Sequence, residues 1–127
     1  MEIGWTGKWT ALALCCVLLS ACALGTRTVT LDVTKVTLPA SVSATAEMGI
    51  DLTASFGGCT TFQGIVAERR ASTLKLTVQG SEPGGNPICP AYIGYFDRTY
   101  TDPGSPPRTD PFEVYVNGKS YGTVAVR

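Results

Sequence analysis

From residue 29 onward the chain alternates between apolar and polar positions. Val29, Leu31 and Val33 are separated by Thr30, Asp32 and Thr34, the two-residue period of a strand with one face in a core and the other in water. Val36 and Leu38 continue in the opposite phase. A bulge or break near Thr34-Lys35 would reconcile the two halves, as in a first strand that changes sheet there. Pro39 has no N–H to give to a ladder and ends the segment. Ser41 to Gly49 is small and polar, with Val42 as its anchor. Ile50, Leu52, Ala54 and Phe56 then alternate with Asp51, Thr53 and Ser55 until Gly57-Gly58 breaks the run. Phe62 to Ala67 admits a short helix. A strand turning around Arg70 to Ser72 is the better reading, because Leu74, Leu76 and Val78 resume the alternation at once. Gly80 to Pro90 reads as a long loop, Tyr92 to Tyr100 as an aromatic strand, and Asp102 to Pro111, with four prolines, as an irregular connection.

The clearest local pattern is the last. Phe112, Val114 and Val116 alternate with Glu113 and Tyr115, Asn117-Gly118 follows, and Tyr121 to Val126 is strand-like again. Asn-Gly between two such runs predicts a type I′ hairpin, whose two turn residues both need positive φ. A two-residue turn sets Val114 opposite Tyr121 and Phe112 opposite Thr123, which leaves Val124 and Val126 out of phase. A bulge near Gly122 would return them to the core face.

About seven short strands with turn signals between them predict an all-β chain folded as a small antiparallel β-sandwich over residues 29–127, broadly immunoglobulin-like in plan. The likeness is architectural. An immunoglobulin domain has a core Trp between its paired Cys, whereas both Trp of this chain, Trp5 and Trp9, precede residue 29. No immunoglobulin binding residue is therefore carried over.

The N-terminal segment has a different character. Lys8 and the amino terminus supply positive charge, and Trp9 to Leu19 is apolar except for Thr10. A bilayer-spanning helix needs roughly 20 apolar residues, so this run suits the hydrophobic region of a signal peptide better than an uncleaved anchor or a buried helix. It ends in Leu19-Ser20-Ala21-Cys22, which resembles the lipobox of bacterial lipoproteins at each of its four positions. The resemblance implies a cleaved signal peptide over residues 1–21, a diacylglyceryl thioether on Cys22, often an N-acyl chain as well, and a lipidated tether over residues 22–28. Two or three acyl chains anchor stably where one is marginal. The implied location is exported and membrane-anchored, on the periplasmic or cell-surface side. Ala23, where an Asp would favour retention on an inner membrane, leans towards an outer membrane where there is one.

That compartment changes the reading of the cysteines. Cys15 and Cys16 leave with the leader. Cys59 and Cys89 remain, and in an oxidising space a disulfide is the natural expectation. Closing a loop of about 30 residues would stabilise the fold by roughly 3–4 kcal/mol on a chain-entropy account, and would pin the Gly80 to Pro90 loop to the start of the third strand. The chain has no His, and these Cys lack Cys-x-x-Cys spacing, so neither a metal site nor a redox motif is expected.

Ten basic and ten acidic residues balance, and removal of Glu2 and Lys8 with the leader keeps the balance. No basic excess points to nucleic acid. Without His, the common catalytic triads and the commonest general base are excluded. Asp97, Asp102, Asp110 and Glu113 are the acids that a glycosidase pair would draw on, and Asp97, Asp102 and Asp110 those of a Ca²⁺ site. All are expected at turns and strand exteriors as solvated acids. No enzyme and no cofactor are therefore expected.

Five tyrosines, Tyr92, Tyr95, Tyr100, Tyr115 and Tyr121, are the candidate recognition surface. Core packing competes for each, and on one regular strand Tyr92 and Tyr95 point to opposite faces. The sequence thus predicts a lipid-anchored envelope protein, with membrane lipid as partner through Cys22, that binds other envelope proteins or gives structural support. The alternative is a lipoprotein that binds a small ligand or a glycan.

Overall fold

The computed structural model describes residues 25–85 and 87–127. The leader, the lipobox and Cys22 lie outside them. Among the described residues nine strands follow in order: β1 (Thr26–Thr30), β2 (Val33–Thr37), β3 (Ser41–Val42), β4 (Met48–Gly57), β5 (Thr61–Arg69), β6 (Thr73–Pro83), β7 (Ile93–Asp102), β8 (Phe112–Val116) and β9 (Lys119–Val126). They form two sheets. One holds β2, β4 and β7 in that order, with β4 central. In the other, β5 lies along one side of β6, while β1 and β8 share its other side, β8 near its start and β1 near its end; β9 and then β3 follow β8. Together they make an all-β sandwich.

The alternation explains why the sheets face each other. Met48, Ile50, Leu52 and Ala54 of β4 are buried, and Gly49 and Asp51 between them are exposed. Leu74, Leu76 and Val78 of β6, Phe112, Val114 and Val116 of β8, and Val124 of β9 complete one core with them. Burying each such side chain is worth about 1.5–3 kcal/mol, so this set is the principal drive to fold.

The first strand does change sheet. Leu31 N–H donates to Val78 C=O (2.9 Å) in the larger sheet, and Asp32 C=O accepts from Ser55 N–H (2.8 Å) in the smaller. The crossing is at Leu31-Asp32, and the bulge against β4 follows between Val33 and Lys35. At the hairpin, Asn117 (φ 52°) and Gly118 (φ 81°) both have positive φ. Tyr115 pairs with Ser120, but Glu113 pairs with Thr123 and Phe112 with Val124. One extra residue therefore sits in β9 at Tyr121-Gly122, where Gly122 has φ 115°, and Val124 is returned to the core.

Three expectations need correction. β1 begins at Thr26, so the tether expected over residues 22–28 gives way to a strand whose partner is Ser81-Glu82-Pro83. β6 accordingly runs to Pro83, through the start of the expected Gly80 to Pro90 loop. Gly80 suits this because a Cβ there would lie 2.7 Å from Leu31 Cδ2 and 2.9 Å from Thr61 O. Finally, the sandwich is not wholly antiparallel. After β6 the chain crosses to the smaller sheet as β7 and returns as β8, which therefore lies parallel to β6, as β3 does to β9.

Candidate functional site

The sandwich has two unlike ends. At one meet the start of β1, the β4–β5 turn and the segment between β6 and β7. Thr26 pairs with Pro83, Gly84 N–H donates to Gly25 C=O (2.9 Å), and Gly57 pairs with Ile93. A Cys59–Cys89 disulfide (Cα–Cα 5.3 Å) ties the turn to the β6–β7 segment, as the sequence predicts. Gly58 lets the two come close, since a Cβ there would sit 2.3 Å from Pro90 O.

Large apolar side chains are exposed at this end. Ile88 is 100% exposed, Ile93 67%, Tyr95 63% and Tyr92 53%. Tyr92 packs edge-on against Phe56 (ring centroids 6.1 Å apart), and Phe56 in turn meets Phe96 (5.9 Å). Ile93 and Tyr95, two apart on β7, share its outer face. Shallow depressions flank the disulfide, one of about 250 Å³ beside Arg27, Glu82 and Pro87.

The five tyrosines do not form one surface. Tyr92 and Tyr95 stand at the disulfide end, and Tyr100 is half-buried against the core. Burial and the neighbouring Asp102 carboxylate raise the Tyr100 hydroxyl above its ordinary pKa, with Arg69 opposing them. Tyr121 also packs against the core, and its ring lies under Lys119 Nζ (5.3 Å). Tyr115 is on the outer face of the larger sheet, where its hydroxyl donates to Glu113 (2.7 Å) and Lys75 Nζ lies 5.8 Å from its ring. That face carries an open depression of about 630 Å³ lined by Val66, Glu68, Arg70, Lys75, Thr77 and Tyr115 among others.

At the opposite end Asp102 departs from the solvated acid expected. It is fully buried. One carboxylate oxygen accepts from Arg108 Nη2 (2.5 Å) and the other from Arg69 Nε (2.9 Å). Arg108 is buried too, and its Nη1 donates to Ser43 C=O (2.9 Å) and Ala46 C=O (2.7 Å). Arg69 Nη2 donates to Pro106 C=O (2.7 Å). Both guanidiniums lie over the Phe112 ring, at 4.7 Å for Arg69 and 5.7 Å for Arg108. Sequence patterning gives no sign of this network, because its members come from β5, β7 and the proline-rich connection. The other acids have separate engagements: Asp97 accepts from Thr53 Oγ1 (2.7 Å), Asp110 from Val126 N–H (2.8 Å), and Glu113 from Ser120 Oγ (2.7 Å). The geometry gathers no pair of them around one substrate position, and it makes Asp102 a structural acid.

No protein-family model, curated protein or solved structure matches the chain.

Proposed function

We propose that the protein is a lipid-anchored module of the bacterial cell envelope, held to a membrane through lipid on Cys22 after removal of residues 1–21. It acts by binding envelope proteins or by structural support, without catalysis, on a sandwich broadly immunoglobulin-like in plan. The observation that carries the reading is Leu19-Ser20-Ala21-Cys22 at the end of a short apolar run. Two features support it. Among the described residues the first strand starts at Thr26, four residues after Cys22, and the Cys59–Cys89 disulfide suits an oxidising compartment.

The test is the intact mass of the protein extracted from membranes, before and after reduction and alkylation. A mass of Cys22–Arg127 plus acyl chains, with two thiols appearing only on reduction, is expected. An unprocessed mass with free thiols would remove the reading.

Small-ligand or glycan binding is the second reading, favoured by the depression beside Tyr115, where an aromatic ring, Lys75, Glu68 and Arg70 converge. Tyrosine fluorescence titrated with envelope glycans tests it, and a flat response across the panel would dismiss it.

A further inference from the structure

We infer that the disulfide-clamped end is a membrane-docking surface, with Ile88, Tyr92, Ile93 and Tyr95 seated in the interfacial layer of the bilayer that holds Cys22. The inference rests on the anchored reading above and adds which face of the sandwich meets lipid.

Three observations carry it. The first is position. Of the described residues, Gly25 is the nearest in sequence to Cys22, and it is hydrogen-bonded to Gly84 beside the clamped segment. Cys22 is three residues away, and a fully extended chain covers at most about 3.5 Å per residue, so a lipid on Cys22 keeps this end within roughly 10 Å of the membrane surface. The opposite end lies across the length of the 11-residue β6, up to about 33 Å away at the rise of a strand. The second is exposure. Four large apolar or aromatic side chains stand in water here, Ile88 completely, in a segment that the disulfide holds in place. Such a patch is spared its hydration cost when it enters an apolar phase, and tyrosine, apolar in its ring and polar at its hydroxyl, favours the interfacial layer. The third is charge. Among residues 25–27, 57–61 and 81–95 the only ionisable side chains besides the tyrosines and the bonded cysteines are Arg27 and Glu82, which pair with each other at 2.6 Å; at the margin stand Asp32, which lines a depression with Thr60, Glu82 and Ile93, and Asp97, two residues beyond Tyr95 on the same face of β7. Most ionised side chains elsewhere need not approach lipid in this orientation. Docking is therefore apolar and interfacial, and it needs no anionic headgroup.

The chain offers a clean reporter. Its two Trp lie in the leader, so the processed protein has none. The variants Ile88→Trp and, at the far β5–β6 turn, Arg70→Trp each place a single indole in the mature lipoprotein, which is reconstituted in phosphatidylcholine vesicles containing acyl-brominated phosphatidylcholine. The unsubstituted protein serves as the blank. The indole from Ile88→Trp should be quenched at least twofold and shifted to the blue, and that from Arg70→Trp should be unaffected. Equal, negligible quenching of both in protein whose mass shows acyl chains would overturn the inference and leave the anchor standing. A protein partner on this patch predicts that same result. If the mass shows no acyl chain, the anchored reading has failed on its own, and the variants, with Trp5 and Trp9 replaced by Phe where residues 1–21 are retained, are added to the same vesicles and read the surface directly. Quenching restricted to Ile88→Trp would then support it, and none would overturn it.

Discussion

Asp102→Ala removes the one carboxylate between two guanidiniums at the far end of the sandwich. In the native protein Asp102 meets Arg108 at 2.5 Å and Arg69 at 2.9 Å, with side-chain exposures of 0%, 0% and 10% in that order. Exposed ion pairs contribute about 0–1 kcal/mol, so the burial decides the size of the effect. Removing one partner of a buried pair leaves an uncompensated charge and costs about 3–5 kcal/mol. Arg108 has few means of escape, because its Nη1 also holds the carbonyls of Ser43 and Ala46. The expected loss is therefore at the full 3–5 kcal/mol, about a third or more of the stability of a typical small domain. Thermal unfolding should report a fall of at least about 12 °C in Tm, and urea unfolding a fall of at least about 1 M in midpoint at unchanged slope. The double variant Asp102→Leu/Arg108→Met should lose less than the two single variants summed, with a coupling of about 1–3 kcal/mol, because the fully buried Asp102–Arg108 pair is removed together and only Arg69, at the edge of the cluster, loses its carboxylate. A cost below about 1 kcal/mol for Asp102→Ala, the range of an exposed pair, would refute the argument that burial makes this carboxylate structural.

Three further perturbations have defined outcomes. Cys59→Ser/Cys89→Ser should lower stability by about 3 kcal/mol in thermal melts and make the chain indifferent to reductant. Asn117→Gly keeps the positive φ of the turn but deletes an amide that accepts from Val78 N–H (3.0 Å) and donates to Leu31 C=O (2.7 Å). Urea unfolding should show a loss of about 1–3 kcal/mol, where a turn residue without these bonds would show almost none. Glu113 is held below its ordinary pKa, first by the Ser120 hydroxyl and next by the Tyr115 hydroxyl. Its contribution is present above the unfolded carboxylate pKa and fades as pH falls through the lowered folded value. Unfolding midpoints followed from neutral to acid pH should fall less steeply for Glu113→Gln than for the native chain.

What the sequence discloses depends on whether an element is specified by its own residues. β4, β6 and β8 carry the core on strict alternation, and β4 and β8 show it as buried Ile50, Leu52, Val114 and Val116 between polar neighbours. The bulge in β9 is legible for the same reason, because a fixed two-residue turn and the need to bury Val124 leave one residue too many. β1 is harder to read. Thr26–Thr30 has Val29 as its only apolar residue, and it is a strand because the end of β6, from Gln79 to Pro83, offers it an edge. The parallel β6–β8 pairing depends on where β7 goes in between. Asn117 is legible as a turn residue, but its second role, bridging Leu31, just past β1, to Val78 where β6 changes partner from β8 to β1, exists only once the sheet is assembled. The Arg69–Asp102–Arg108 network and the gathering of Ile88, Tyr92, Ile93 and Tyr95 are likewise products of the fold.

The two ends suggest why the chain is cross-linked as it is. Each must hold long connections: the β6–β7 segment at one end, and residues 43–47 and 103–111 at the other. The far end does so with ions and carbonyls, and Arg108 alone binds Ser43, Ala46 and Asp102. Such a network needs burial under its own protein cover, and any guanidinium pressed against hydrocarbon would add a large desolvation cost. The disulfide is free of that requirement, since it carries no charge and leaves no polar atom to satisfy. If Cys22 carries lipid as proposed, a disulfide at the near end and an ionic clamp at the distal end keep the Arg69–Asp102–Arg108 cluster away from the bilayer. Exchanging the two would set a buried Asp and two Arg against the membrane, and would leave the apolar side chains around Ile88 facing water.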